Sequence, residues 1–179
     1  MISTDSTEEL TVVSEVSPAP FFSVSLLKLT VMSFCTLGFY ELYWFYQNWK
    51  LIRDREDETI SPFWRSFFAV LFCHKLFLNV RDYGDEHDTS TSLQAGALAA
   101  GWIIVTITWR LPDPYSLISF FAVFFLLPVQ AHINQINQSC APDQEVNDKF
   151  SLLNWVTIVL GALLLLVLVL SELYPVEPG

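Results

Sequence analysis

The sequence predicts an all-α fold: an integral membrane helical bundle with four transmembrane helices and one interfacial amphipathic helix. Its 179 residues are 53% hydrophobic and only 16% charged, whereas soluble domains carry about 25% charged residues. The mean hydropathy is correspondingly high, at +0.42. A helix needs about 20 mostly apolar residues to cross the hydrocarbon core, and the chain contains four stretches of that kind. Together these observations predict a protein that resides in a membrane.

The four predicted spans cover about residues 24–46, 93–111, 115–136 and 152–173, all within one domain at 21–174. The last is the most uniform, since it contains the uncharged run "VTIVLGALLLLVLVL". The first contains Gly38, and a glycine inside a helix weakens it by about 1 kcal/mol relative to alanine, so we expect a bend or break there. In the second span, "GALAAG" offers small residues four positions apart, which let helix backbones approach closely. This span should therefore pack centrally.

The two ends of the chain are predicted to lie outside the bundle. Residues 1–20 are acidic and contain no Lys or Arg. A segment of this kind buries too little apolar surface to offset the entropy of ordering, so the sequence predicts a disordered acidic tail at 1–20. Residues 175–179 form a second, short tail.

The interfacial helix is predicted at about residues 61–80, "SPFWRSFFAVLFCHKLFLNV". Arg65, His74 and Lys75 interrupt its apolar residues, which favours a helix at the membrane surface over a fifth span. Pro62 is suited to the first helical turn.

The distribution of basic residues predicts the orientation. With four spans, segments 47–92 and 139–149 lie on one side with seven basic residues, and two basic residues lie near the opposite ends. Treating 61–80 as a fifth span would nearly remove this asymmetry. Because Lys and Arg concentrate in cytoplasmic loops, we expect both termini outside the cytoplasmic (inner) membrane of a bacterium. The inside set is Lys50, Arg53, Arg55, Arg65, Lys75, Arg81 and Lys149, against Lys28 and Arg110.

An aromatic stretch, "TLGFYELYWFYQNWK" at residues 36–50, closes the first predicted span. Tyr and Trp favour the membrane–water interface, so an aromatic belt accounts for most of it, but not for Glu41. A carboxylate at membrane depth must be paired, protonated or in contact with water. We expect Glu41 to pair with Arg65, with Lys50 and Lys75 as alternative partners. A protonatable carboxylate in a transport path is the functional alternative.

A second polar group lies in "VQAHINQINQSC" at residues 129–140. Gln130, Asn134 and Asn137 share one helical face because they are spaced i, i+4 and i+7. In hydrocarbon such amides need partners, and Asn154 at the start of the last span is the expected one. The alternative is a site for a polar ligand or a lipid headgroup.

The segment "MSFCTLGFYELYWFYQNWKLI" followed by "SPFWRSFFAVLF" resembles a family of small bacterial integral-membrane proteins of unknown function. Their signature is Thr-x-Gly-x-Tyr-x-x-Tyr-Trp, matched here by Thr36, Gly38, Tyr40, Tyr43 and Trp44. The later "QAHINQINQ" and "FSLLN" are similar to the C-terminal part of these proteins. The resemblance implies a small multi-span membrane protein and no catalytic or binding residue.

Three hypotheses for function follow. The first is a non-enzymatic accessory, scaffold or subunit of a membrane assembly, whose partners are membrane lipid and other membrane-protein subunits or a second copy of the chain. The second is a small transporter or channel, with Glu41 and the Gln130/Asn134/Asn137 face lining a path. The third is a lipid-modifying enzyme that uses His74 or His132. No spacing typical of a metal, cofactor or nucleophile site occurs, and a net charge of −10 argues against nucleic acid. The sequence therefore favours the first hypothesis and predicts no cofactor and no metal.

Overall fold

The computed structural model describes residues 18–56, 59–87, 89, 92–112 and 114–173, and within these ranges the regular structure is helical. Residues 1–17 of the predicted tail at 1–20, and the predicted short tail at 175–179, lie outside the described residues. The α-helices are α1 (Leu26–Cys35), α2 (Phe39–Glu56), α3 (Pro62–Phe67), α4 (Ala69–Glu86), α5 (Ala95–Ile107), α6 (Val123–Cys140) and α7 (Leu152–Leu173). Two 3₁₀ segments, Thr108–Arg110 and Tyr115–Ala122, extend α5 and precede α6.

The first predicted span is not one continuous helix, because α1 and α2 fold back on each other as a hairpin. Phe22, which precedes α1, donates its backbone N–H to Asn48 of α2 at 3.1 Å, and its ring lies 5.8 Å from that of Tyr43. At the same end, Arg55 donates to the carbonyl of Pro20 at 2.8 Å. Chain order therefore runs in opposite directions along the two arms, and the predicted span 24–46 is wrong as a single crossing.

The predicted break at Thr36–Gly38 forms the bend of this hairpin. Leu37 and Gly38 both have positive φ, 53° and 87°, a backbone region that glycine adopts without a steric penalty. The Thr36 hydroxyl donates to the carbonyl of Met32 at 2.7 Å and accepts from the N–H of Tyr40 at 2.8 Å. The Thr36 hydroxyl thus pairs with a backbone carbonyl near the end of α1 and with a backbone N–H at the start of α2.

The predicted interfacial segment 61–80 forms two helices that meet at Phe68. Pro62 occupies the first turn of α3 as expected. The second helix, α4, continues to Glu86 and has an inward face with Cys73, Leu76 and Phe77 fully buried. Aromatic residues on α3 and at the junction remain exposed instead: Phe63, Trp64, Phe67 and Phe68.

The next two elements, α5 and the Tyr115–Cys140 helix, form an antiparallel pair around the predicted turn at 111–115. Tyr115 donates its N–H to the carbonyl of Pro112 at 3.1 Å. Part of α5 packs closely: Ala95 and Ala99 are 1% exposed, and a Cβ added at Gly101 would lie 2.2 Å from the ring of Phe125. Gly96, Ala97 and Ala100 are exposed instead, so α5 has one buried and one open face, and its predicted central position stays a prediction.

The last helix, α7, contacts the bundle chiefly through α1. Ser151 precedes it, and its hydroxyl accepts the N–H of Asn154 at 3.3 Å and so caps the helix. Most of its apolar side chains are exposed, including those of the run 163–170. By length and composition, two described helices could cross a membrane, Tyr115–Cys140 and Leu152–Ser171, while Leu26–Cys35 and Ala95–Arg110 are apolar but shorter.

One end of the bundle, which we call the basic end, collects most of the basic residues. Lys28 at the start of α1 donates to the carbonyl of Lys149 at 2.6 Å, and Val24 forms an isolated parallel bridge with Asn147. The start of α1 and the 139–149 loop therefore lie together, which contradicts their predicted separation on opposite sides. The basic end is defined by Lys28, Lys50, Arg53, Arg55, Arg81 and Lys149.

Candidate functional site

The amide face of α6 binds the backbone of an extended segment at residues 19–24, which lies beside it. Asn137 exchanges two hydrogen bonds with Phe21: its amide donates to the Phe21 carbonyl at 2.9 Å and its oxygen accepts the Phe21 N–H at 3.2 Å. Gln130 donates to the carbonyl of Phe22 at 3.1 Å and Asn134 to that of Val24 at 3.0 Å. The amides therefore satisfy polar groups that a neighbouring β-strand would otherwise pair.

Three further side chains bind the same segment, and together with Gln130, Asn134 and Asn137 they form what we call the amide clamp. Asn48 accepts the N–H of Phe22, Gln144 accepts the N–H of Ala19 at 2.8 Å, and Arg55 donates to Pro20. Ala19, Phe21 and Val24 are consequently buried. Residues 19 and 20, expected to belong to the disordered tail at 1–20, lie in this segment.

Asn154 is not the partner of the amide face. The oxygen of Asn134 accepts from Gln130 at 2.8 Å, while its nitrogen serves Val24. Asn154 instead borders a separate cavity with Lys28 and Ser151. The predicted interhelical amide bond between α6 and α7 is therefore replaced by bonds from α6 to the N-terminal segment.

Glu41 has a partner other than the predicted arginine. Its carboxylate accepts a hydrogen bond from the indole N–H of Trp102 on α5 at 2.8 Å, and the residue is only 5% exposed. The guanidinium of Arg65 lies instead 4.5 Å from the ring centre of Trp49 and 5.8 Å from that of Phe72. The Glu41–Arg65 pair is thus absent, because Glu41 on α2 and Arg65 on α3 face different neighbours.

A cavity of about 220 Å³ lies beside the Glu41–Trp102 bond. It extends from the hairpin bend to the 3₁₀ segment before α6, and Gly38, Ser119 and Phe120 border it. Thr106 also lines it, one helical turn after Trp102, and its buried hydroxyl has no hydrogen-bond partner in the described part of the chain. A carboxylate and a hydroxyl with unused capacity could bind a small ligand that donates hydrogen bonds.

Arg55 at the basic end connects α2 and α4 to the extended segment at residues 19–24. The guanidinium of Arg55 bonds to Glu56 at 2.9 Å and to Asn79 at 3.1 Å, and lies 4.4 Å from the ring centre of Tyr83. Burial acts to raise the pKa of Glu56, but hydrogen bonds from Asn79 and Arg55 outweigh it and lower that pKa below its ordinary value. Burial likewise raises the pKa of Tyr83.

Sequence reasoning missed several members of these sites; we consider four of them, and for three of these a signal existed. Trp44, Asn48 and Arg55 follow Glu41 on α2 at spacings of 3, 7 and 14 residues, so they share its helical face. Trp44 donates its indole N–H to the oxygen of Gln130. The fourth, Trp102, lies in an apolar span where nothing in the sequence distinguishes it from a belt residue.

Comparison of the chain with protein-family models, curated proteins and solved structures finds no match. The resemblance to the family with the Thr-x-Gly-x-Tyr-x-x-Tyr-Trp signature therefore stays a prediction.

Proposed function

We propose that this chain is a non-enzymatic membrane protein that serves as an accessory, scaffold or subunit of a larger membrane assembly. The observation that carries the proposal is the use of its polar interior. Gln130, Asn134 and Asn137, the residues best suited to line a path, are hydrogen-bonded to the protein's own backbone at 2.9–3.2 Å. Groups committed to holding the chain together favour a structural role over catalysis or conduction.

The proposed arrangement in the membrane follows from the length of α7. Its apolar part, Leu152–Ser171, has 20 residues, which at 1.5 Å per residue matches a hydrocarbon core of about 30 Å. Gly161 is at the middle of that span, and it lies against the carbonyl of Cys35. On this basis the α1–α2 bend reaches about the bilayer midplane, so that the hairpin enters from one side without crossing. The crossing helices are then α5, α6 and α7.

The proposed orientation has the basic end on the cytoplasmic side of a bacterial inner membrane. Six basic residues cluster there, and Arg110 lies at the far end of α5. This distribution follows the positive-inside rule. The described N-terminal segment is then inside and α7 runs outward, so the predicted external N-terminus is replaced by an internal one.

Cysteine labelling of intact cells and of inverted vesicles tests this arrangement. In a background with the natural cysteines replaced by serine, Pro18→Cys and Ser139→Cys should both react from the inside and Ser171→Cys from the outside. All three positions are exposed. Labelling of positions 18 and 139 from opposite sides would reject the hairpin and restore the single crossing at 24–46.

Native mass spectrometry of protein extracted in a mild detergent tests the accessory role. A stoichiometric membrane-protein partner, or a defined homo-oligomer, is the expected result. Replacing Trp64 and Phe67 by serine should release the partner, because these exposed rings form an apolar surface on α3. Replacing the exposed Leu163 and Leu166 on α7 by alanine is the matched control. A strictly monomeric protein would contradict the proposal.

A second candidate function is a small transporter or channel, and the Glu41 cavity favours it. A buried carboxylate beside a broken helix at mid-membrane depth is a recurring arrangement in transporters. Ion and proton flux into proteoliposomes separates the two functions. Flux that Glu41→Gln abolishes, in protein that remains folded, would replace the accessory role with transport.

A further inference from the structure

A second cavity, of about 590 Å³, opens between the α1–α2 hairpin and the first turns of α7. Its lining includes the polar residues Lys28, Lys149, Ser151 and Asn154 at the basic end, together with Met32, Leu153, Tyr40 and Tyr43. Neither the amide clamp nor the Glu41 cavity includes any of these residues.

Lys28 is a buried cation without a close counter-ion. The residue is 4% exposed, and its ammonium donates to the oxygen of Asn147 at 2.7 Å and to the carbonyl of Lys149 at 2.6 Å. In the described part of the chain no carboxylate lies within 4.0 Å of it, although Asp148 is near enough to attract it. An ammonium carries three donors, so one remains for a ligand, and a buried charge left uncompensated is strongly unfavourable.

Further polar groups border the same space. The side chain of Lys149 is exposed, and among the described residues its ammonium contacts Glu145 alone, at 3.2 Å. A surface pair of this kind contributes about 0–1 kcal/mol and is readily exchanged for another anion. The side-chain amide of Asn154 makes no hydrogen bond to the described residues, and the hydroxyl of Ser151 accepts one from the backbone of Asn154. Two ammonium groups, an amide and a hydroxyl suit the several oxygens of a phosphate.

We propose that this cavity binds the phosphate group of an anionic phospholipid, with the acyl chains lying along the exposed apolar surface of α7. The inference rests on the proposed membrane location, because Leu152 then begins the hydrocarbon core and Lys28 and Lys149 lie at headgroup depth. Leu152, Leu153 and Val156 are exposed on the first turns of α7. The shared ligand chemistry is a phosphate monoanion, and free phosphate is the alternative source.

Isothermal titration of the full-length chain in a non-ionic detergent tests the proposal. The ligands are short-chain phosphatidylglycerol, phosphatidylcholine with the same chains, and inorganic phosphate. Phosphatidylglycerol should bind at least tenfold more tightly than either of the others, since it alone supplies both the net negative charge and the acyl chains. Equal affinity for the two lipids would reject the headgroup site, and equal affinity for inorganic phosphate would assign the cavity to free phosphate.

Charge variants show whether the lipid occupies this cavity. Lys149→Gln should weaken phosphatidylglycerol binding about fivefold, as expected for one basic residue near a membrane surface. Because the Lys149 side chain is exposed, the substitution should leave the fold intact. Lys28→Met should weaken it more than tenfold. The matched control is Lys50→Gln, an exposed lysine of the basic end that does not line the cavity, which should change affinity less than twofold. Unchanged binding in Lys149→Gln would overturn the proposal.

The lipid site and the accessory role can be rejected independently of each other. Loss of selectivity for phosphatidylglycerol leaves the oligomeric mass and the labelling pattern as they are, so only the lipid site would be rejected. Labelling that places the basic end outside, with selective binding retained, would instead revise the orientation.

Discussion

Gly161 of α7 lies directly against the carbonyl group of Cys35 at the end of α1, and a Cβ built at position 161 would be 1.7 Å from the Cys35 oxygen. No side chain fits there without a shift of one helix. Because the close neighbour is backbone rather than a flexible side chain, the contact fixes where α7 crosses α1.

Gly161→Val should therefore loosen α7 and lower the free energy of unfolding by about 1–3 kcal/mol, the range for overpacked sites. Thermal unfolding in detergent measures it. Gly96→Ala is the control, since a Cβ there meets only the Nε2 of His74, at 3.9 Å, and replacing a helical glycine by alanine is stabilising by up to about 1 kcal/mol. Equal stability of the valine variant and the wild type would show that α7 packs elsewhere.

Trp102→Phe should destabilise the bundle by about 1–3 kcal/mol, because the buried Glu41 carboxylate loses its hydrogen-bond donor. Glu41→Gln should be milder, since its amide oxygen can still accept from the indole. A double-mutant cycle between positions 41 and 102 should show coupling, while the cycle between Glu41 and Arg65 should be additive, because Arg65 lies on Trp49. Coupling between Glu41 and Arg65 would restore the pair expected from the sequence.

Asn137→Leu should cost about 2–6 kcal/mol, since it leaves the buried N–H and carbonyl of Phe21 both unpaired, at about 1–3 kcal/mol each. Limited proteolysis near residues 18–24 should accelerate together with the fall in thermal stability. Gln138→Leu, one position further along α6 and exposed, is the matched control. An Asn137→Leu variant as resistant as the control would mean that the clamp does not hold the segment in solution.

Stability should fall as the pH drops below the ordinary carboxyl pKa of 4.5. The pKa of Glu56 is lower in the folded protein than in the unfolded chain, so its contribution is fully present above the unfolded value and is lost as the pH falls through the folded one. Glu56→Gln should flatten the stability profile as the pH falls below about 4.5. Because the side chain is about one-third exposed, the effect should be small and decrease with salt. A profile identical to the wild type would exclude this contribution.

Gly38→Ala should reduce stability by about 1–3 kcal/mol through backbone strain alone, since φ is 87° and no atom lies within 4 Å of the added Cβ. Leu37→Gly should be neutral or stabilising, because it relieves a positive φ of 53° at a residue that disfavours it. Thermal unfolding of the two variants, read against the wild type, checks the bend. A tolerated alanine at position 38 would imply a continuous helix there.

The helical class, the two helices long and apolar enough to cross a membrane, and the break at residues 36–38 could be predicted from the sequence, since they depend on local properties. Apolar runs determine the length and hydropathy of a helix, and Gly38 permits a backbone conformation that other residues disfavour. Ser151 and Pro62 were likewise recognisable at helix starts, where an orphan N–H or a fixed φ depends on a few neighbouring residues. The shared face of Gln130, Asn134 and Asn137 also follows from helical periodicity alone.

Which groups those side chains meet was decided by tertiary structure. The sequence predicts that an amide in hydrocarbon needs a partner, but a backbone carbonyl satisfies it as well as Asn154 does, and backbone groups are identical at every position. Glu41 likewise needs a hydrogen-bond donor, and the indole of Trp102, 61 residues away, supplies it. Because an indole is uncharged, the charge pattern of the sequence does not identify it as the partner. A run of apolar residues indicates how long a helix can be, but not whether the chain reverses within the run. Residues 24–46 therefore resemble one crossing in the sequence, and only the contact between Phe22 and Asn48 shows the hairpin. Hydropathy adds up along the chain, whereas a hairpin depends on contacts between residues distant within it.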